Sequence, residues 1–147
     1  MTDVDQNEAA FTFDFEEEED ELVTHGVGPC IAIAVVNQTK GWAGLCHYDN
    51  AHHRTPDLHR FLSAAAQACE PNDIIEVWTG GGDNTDPETA EGVNRAREAA
   101  QSALQAFFPM APSPLWLDAG GSYDVVVNAA SADISFELVP VDGPADA

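Results

Sequence analysis

Two apolar segments, residues 31–36 (IAIAVV) and 42–48 (WAGLCHY), are separated by the polar stretch NQTKG. The first is short, rich in branched side chains and free of polar residues, as suits a buried strand. The second reads as its return strand, so the pair predicts a buried hairpin with a five-residue loop. With the turn centred near Thr39, residue 30 falls opposite residue 48. Cys30 and His47 then lie close across the ladder, with a shift or bulge needed for both to face one side.

The rest of the chain predicts helices and further strands around this hairpin. Thr55-Pro56-Asp57 is a helix start, with a capping hydroxyl, a proline in the first turn and an acid beside it. Leu58, Phe61, Leu62 and Ala65 continue at helical spacing to about Cys69. EPND breaks that helix, IIEVWT (residues 74–79) reads as a strand, and GGGDNTD (80–86) reads as a loop. Asp86-Pro87-Glu88 starts a second helix running to about Phe108, with Val93, Ala96, Ala100 and Leu104 on one face. LWLD, YDVVV and ISFELV are three late strands. Helices and strands do not alternate strictly, which favours an α+β domain with mixed or antiparallel sheets and helices packed outside.

The chain has 147 residues, a length that suits one domain. Residues 1–21 carry ten acids and no base, and such a block is expected to be a disordered tail. Within it FTFDF alternates as an edge strand or docking motif would. Residues 22–140 are expected to form the folded domain, and residues 141–147 a loose tail. The net charge is −21, from 26 acids and 5 bases. That excludes a nucleic-acid binder, which needs clustered Lys and Arg, and argues against anionic membrane surfaces. It fits a solubility or salt adaptation, or a basic partner. No apolar run is long enough to span a membrane. The acidic N-terminus lacks the basic start and apolar core of a signal peptide, so the expected location is cytoplasmic.

Three cysteines, Cys30, Cys46 and Cys69, contain no CxxC pair, so a structural zinc site is not expected. Cys30 follows Gly-Val-Gly-Pro. Gly28 permits a sharp turn that presents a side chain and free amides, and Pro29 stiffens the turn while donating no N–H. A cysteine nucleophile needs a base within reach and donors for an oxyanion. His47 can be that base, the Cys30 amide can be a donor, and Thr24 can orient the histidine through its hydroxyl. Spacing alone is equally met by a small buried cysteine and a hydrogen-bonded histidine. Cys46 should point to the face opposite His47, into the core. His47, His52, His53 and His59 cluster with Asp49 and Asp57, but no helical i, i+4 pair unites them, and no metal is expected. TGGGDNTD lacks the Lys and Ser or Thr of a phosphate loop.

THGVGPCIAIAVVN…GWAGLCH resembles the signature of CheD, the chemoreceptor glutamine deamidase family. IIEVWTGGGD, EGVNRAREAAQSAL and LWLDAGGSYDVVVNAASADISFEL resemble its later segments in order. The resemblance covers residues 22–138. It implies two packed mixed sheets flanked by helices, a fold shared with the catalytic domain of cytotoxic necrotizing factor. It implies hydrolysis of a protein glutamine side-chain amide to glutamate, without a cofactor. Cys30 would be the nucleophile, His47 the base and Thr24 its orienter. Gly28, Pro29, Gly44, Gly81, Gly82, Asn94, Gly120 and Gly121 would shape the site or its oxyanion donors. The implied partner is a protein with an exposed glutamine, a chemoreceptor or another regulatory protein. Pro29 stands where the family has serine, which removes one N–H and one hydroxyl. The polar YDNAHHR replaces an apolar segment after the histidine. Two alternatives stand beside the deamidase: a catalytically impaired binding module of the same fold, and an effector or toxin deamidase acting on another protein.

Overall fold

A computed structural model describes residues 1–15, 19–49 and 55–140. The fold is α+β, with two mixed sheets of four and five strands and two helices. The strands are β1 (Thr2–Asp3), β2 (Glu8–Phe11), β3 (Glu21–Val27), β4 (Ile31–Asn37), β5 (Trp42–Tyr48), β6 (Ile75–Gly81), β7 (Leu115–Trp116), β8 (Ser122–Asn128) and β9 (Asp133–Val139). The helices are α1 (Thr55–Gln67) and α2 (Ala90–Phe107). One sheet runs β1-β3-β8-β9 and the other β2-β5-β4-β6-β7. Pairing is antiparallel except for β1 with β3 and β6 with β7.

The central strand β4 is buried along its whole length because both its faces are covered. Ile31, Ile33 and Val35 face the helices, in a core with Leu58, Phe61, Leu62, Ala100 and Leu104. Ala32, Ala34 and Val36 face the other sheet, in a core with Leu22, Val27, Val125 and Val127. Alternation thus sorts larger side chains to the helix layer and two small ones to the sheet–sheet layer, where two flat surfaces approach closely. Each fully buried Leu or Ile contributes roughly 1.5–3 kcal/mol.

The hairpin forms one residue out of the expected register. Ile31 lies opposite Tyr48 and Ala32 opposite His47. Cys30, two residues before Ala32, therefore shares the face of Ala32 and His47 with no bulge between them. The expected disordered tail is corrected: residues 2–3 pair with β3, residues 8–11 pair with β5, and a 3-10 turn, Thr12–Asp14, follows. Asp3, Asp5, Glu8 and Asp14 are exposed, while Val4 and Phe11 are buried in the two cores. Of FTFDF, Phe11 is the last residue of β2, Thr12 Oγ1 accepts from Ala43 N–H of β5, and Phe13 lies edge-on to Trp42. Strand β3 carries no expectation from the sequence. The second helix begins at Ala90, after a turn in which Thr89 N–H and Ala90 N–H both donate to Asp86 O. The C-terminal tail, 141–147, lies outside the described residues. Among those described, no helix is long and apolar enough to cross a membrane.

Candidate active site

Thr24 and His47 meet between the two sheets, and Cys30 lies on the same face of the hairpin as His47. Thr24 comes from β3, His47 from β5, and Cys30 from the turn that opens β4. Thr24 and His47 are buried, His47 to 2% exposure, and Cys30 is 7% exposed. Thr24 Oγ1 lies 2.6 Å from the Val4 carbonyl oxygen and 2.7 Å from His47 Nδ1. A carbonyl only accepts, so the single hydroxyl proton goes to Val4. The hydroxyl oxygen must then accept from His47 Nδ1–H. This fixes the tautomer and leaves Nε2 with a lone pair. Nε2 is buried and has no hydrogen-bond partner among the described residues.

Burial disfavours the charged form of both groups. Burial pulls the His47 pKa below its ordinary value, against a weaker opposite pull from the carboxylate of Asp5. Burial pushes the Cys30 thiol up to about 11, and the charge of Asp49 adds to it. Burial thus works against a thiolate–imidazolium ion pair at rest. The arrangement suits a neutral thiol that gives up its proton to Nε2 only as it attacks. Cys46 points to the opposite face, among the helix-side core residues, and its thiol is also raised by burial.

The turn before Cys30 is held by backbone. Gly82 N–H donates to Cys30 O at 2.8 Å, and Asp83 N–H to Gly28 O at 2.8 Å. Neither bond uses the Cys30 N–H, which is the natural oxyanion donor. Pro29 is exposed and donates nothing. Gly81 has φ +103°, and a Cβ there would collide with Cys30 O and lie 2.7 Å from Val27 Cγ1, so only glycine lets β6 pass this close. A Cβ on Gly28 would lie 3.4 Å from Gly121 O. Gly28, Gly81, Gly82 and Gly121 thus meet at the turn before Cys30, and buried Gly120 precedes Gly121.

Two expected site residues lie elsewhere. Gly44 faces the helix layer, where a Cβ would lie 2.5 Å from Phe11. It is a packing glycine because β5 alternation puts it opposite to His47. Asn94 is exposed on α2, and its Oδ1 accepts from Asn84 Nδ2 at 2.9 Å, beyond the glycine loop.

A cavity of about 220 Å³ lies on the Thr24 flank, lined by Asp3, Val4, Asp5, Gln6, Val23, Thr24, His25, Gly26 and His47. Its roof is the N-terminal segment, which the sequence reading had set apart from the domain. Arg97 was also missed. It is one of only five basic residues and sits one helical turn beyond Asn94, which is the signal that could have found it. Among the described residues no group of three His, Cys, Asp or Glu side chains could hold a metal ion. His52 and His53 lie outside them. No protein-family model and no curated protein matches the chain.

Proposed function

We propose that the protein is a cysteine-dependent hydrolase of the glutamine side-chain amide in proteins, of the CheD-like kind. The observation that carries this reading is the chain Val4 O, Thr24 hydroxyl, His47 Nδ1. It leaves Nε2 as a fixed base on the face that holds Cys30. In the reaction His47 Nε2 takes the thiol proton as Cys30 Sγ bonds to the amide carbon. The oxyanion is held by the Cys30 N–H. The imidazolium returns its proton to the leaving nitrogen, the C–N bond breaks, and ammonia departs from a thioester. Water, deprotonated by His47, then opens the thioester to glutamate and free thiol. An amine in place of water would give transfer from the same thioester.

The test uses a p-nitrophenyl ester of a γ-glutamyl group, which forms the same thioester as glutamine. At neutral pH the ester is expected to acylate Cys30 ahead of Cys46 and Cys69, read by p-nitrophenolate release and mass-spectrometric mapping. His47→Ala should slow this by about 10²-fold or more, the usual worth of a positioned base. Acylation at Cys46 or Cys69 instead, or a rate indifferent to His47, would sink the reading. A second reading is favoured by the raised Cys30 thiol and by Pro29: a binding module of the same fold with impaired chemistry. An inert Cys30 would select it.

A further inference from the structure

Arg97 reaches from α2 to the loop behind the nucleophile. Its Nε donates to Gly82 O at 2.8 Å, its Nη1 donates to Asp118 Oδ1 at 2.8 Å, and its guanidinium carbon lies 5.3 Å from the Trp116 ring centre. The side chain is 12% exposed, whereas that of Asp118 is 77% exposed. Nη2 is buried without a hydrogen-bond partner among the described residues. An arginine in this state keeps its charge and gives up water, so its fixed geometry needs a reason. The residue it holds supplies one. Gly82 carries the N–H that bonds Cys30 O, and the next N–H, of Asp83, bonds Gly28 O. Leu117 N–H, beside Asp118, bonds Gly81 O at 2.8 Å. Gly82 sits at φ +62°, and a Cβ there would lie 3.0 Å from Arg97 Nε. Glycines at 81 and 82 give the loop backbone conformations that other residues rarely adopt; Asn84 Nδ2 ties its far end to Asn94, and Arg97 bonds the backbone between the two amides.

We infer that Arg97 is a positioning residue: by clamping Gly82 O it fixes the two loop amides that hold Gly28 and Cys30, and so aims the Cys30 N–H at the developing oxyanion. This rests on the reading of Cys30 as nucleophile. Two reactions at one sulfur separate this role from mere support. Acylation by the γ-glutamyl p-nitrophenyl ester passes through an oxyanion, while alkylation by iodoacetamide does not. Arg97→Met is expected to slow acylation of Cys30 by on the order of 10- to 100-fold, at or below the low end for losing an oxyanion donor. Alkylation of Cys30, Cys46 and Cys69 should change by less than about 3-fold. Hydrogen exchange of the Gly82 and Asp83 amides, followed by NMR, should quicken. Asp118→Asn alters only an exposed partner of the clamp. It should move the same ratio in the same direction by a smaller factor, and it keeps the test alive if Arg97→Met does not fold. Faster exchange with an unchanged acylation-to-alkylation ratio would overturn the inference, as would a parallel fall in both reactions. A wild-type Cys30 that the ester fails to acylate would overturn the catalytic reading and this inference together. Failure of the Arg97 role alone leaves wild-type acylation intact.

Discussion

Thr24 Oγ1 has one proton and two close polar neighbours, and that count determines which nitrogen of His47 is basic. Replacing Thr24 by valine keeps the shape and removes both bonds. The Val4 carbonyl and the Nδ1–H then lose their partners in a buried place, which costs about 1–3 kcal/mol. The expected outcome of Thr24→Val is that loss in urea denaturation, together with a fall of at least about 10-fold in Cys30 acylation. Thr24→Ser, which restores the hydroxyl, should recover most of the acylation. A valine variant that is destabilised but fully active would show that the bond serves folding alone. The hairpin that carries Cys30 and His47 was legible in the sequence because its register can be counted from its turn to within one residue, whereas Thr24, on β3, lies outside that hairpin. Arg97 was legible only as a rare base one helical turn beyond Asn94, not by what it does. It acts on a backbone carbonyl, and a carbonyl leaves no residue-type signature in the chain.

The N-terminal segment is the element that sequence reading handled worst, for a physical reason. Its acids dominate any composition window, while its two buried apolar side chains, Val4 and Phe11, lie too far apart to show a period. The segment is nevertheless built into both sheets. Asn7 N–H donates to the carbonyl of His47, and Ala43 N–H donates to Thr12 Oγ1 at 3.0 Å. Phe11 stacks between Phe13 and Phe61, at 4.9 Å from each ring centre, with Trp42 edge-on at 5.8 Å. The space Phe11 fills is the one that Gly44 leaves open. Gly44→Ala is therefore expected to destabilise by about 1–3 kcal/mol through overpacking. In a Phe11→Ala background the same change should cost less than about 0.5 kcal/mol, because the ring it strikes is gone. Thermal denaturation of the four variants reads this coupling. Additive losses would mean that β2 does not pack on β5 in this way.

At the scale of the whole molecule the charge is out of balance by 21 units, and Lys40, Arg60 and Arg97, three of the five basic side chains, are already paired. Lys40 bridges Glu70 and Asp73, Arg60 meets Asp57, and Arg97 meets Asp118. Most of the 26 acids therefore have no base to offset them. Their self-repulsion favours the expanded chain. It is screened over about 30 Å at 0.01 M salt but only about 3 Å at 1 M. Added sodium chloride should therefore stabilise the protein, unlike a chain held by surface ion pairs, which salt weakens. Each kcal/mol recovered raises the melting temperature of a domain this size by about 4 °C. A rise of at least that much is expected between 0.01 M and 0.5 M, read by thermal denaturation. Most of it should come below about 0.3 M, where the screening length changes fastest. A rise that instead continued linearly to several molar would point to salt acting on apolar hydration. A fall would mean that the few ion pairs outweigh the repulsion, and the acidic surface would then need a cationic partner to explain it.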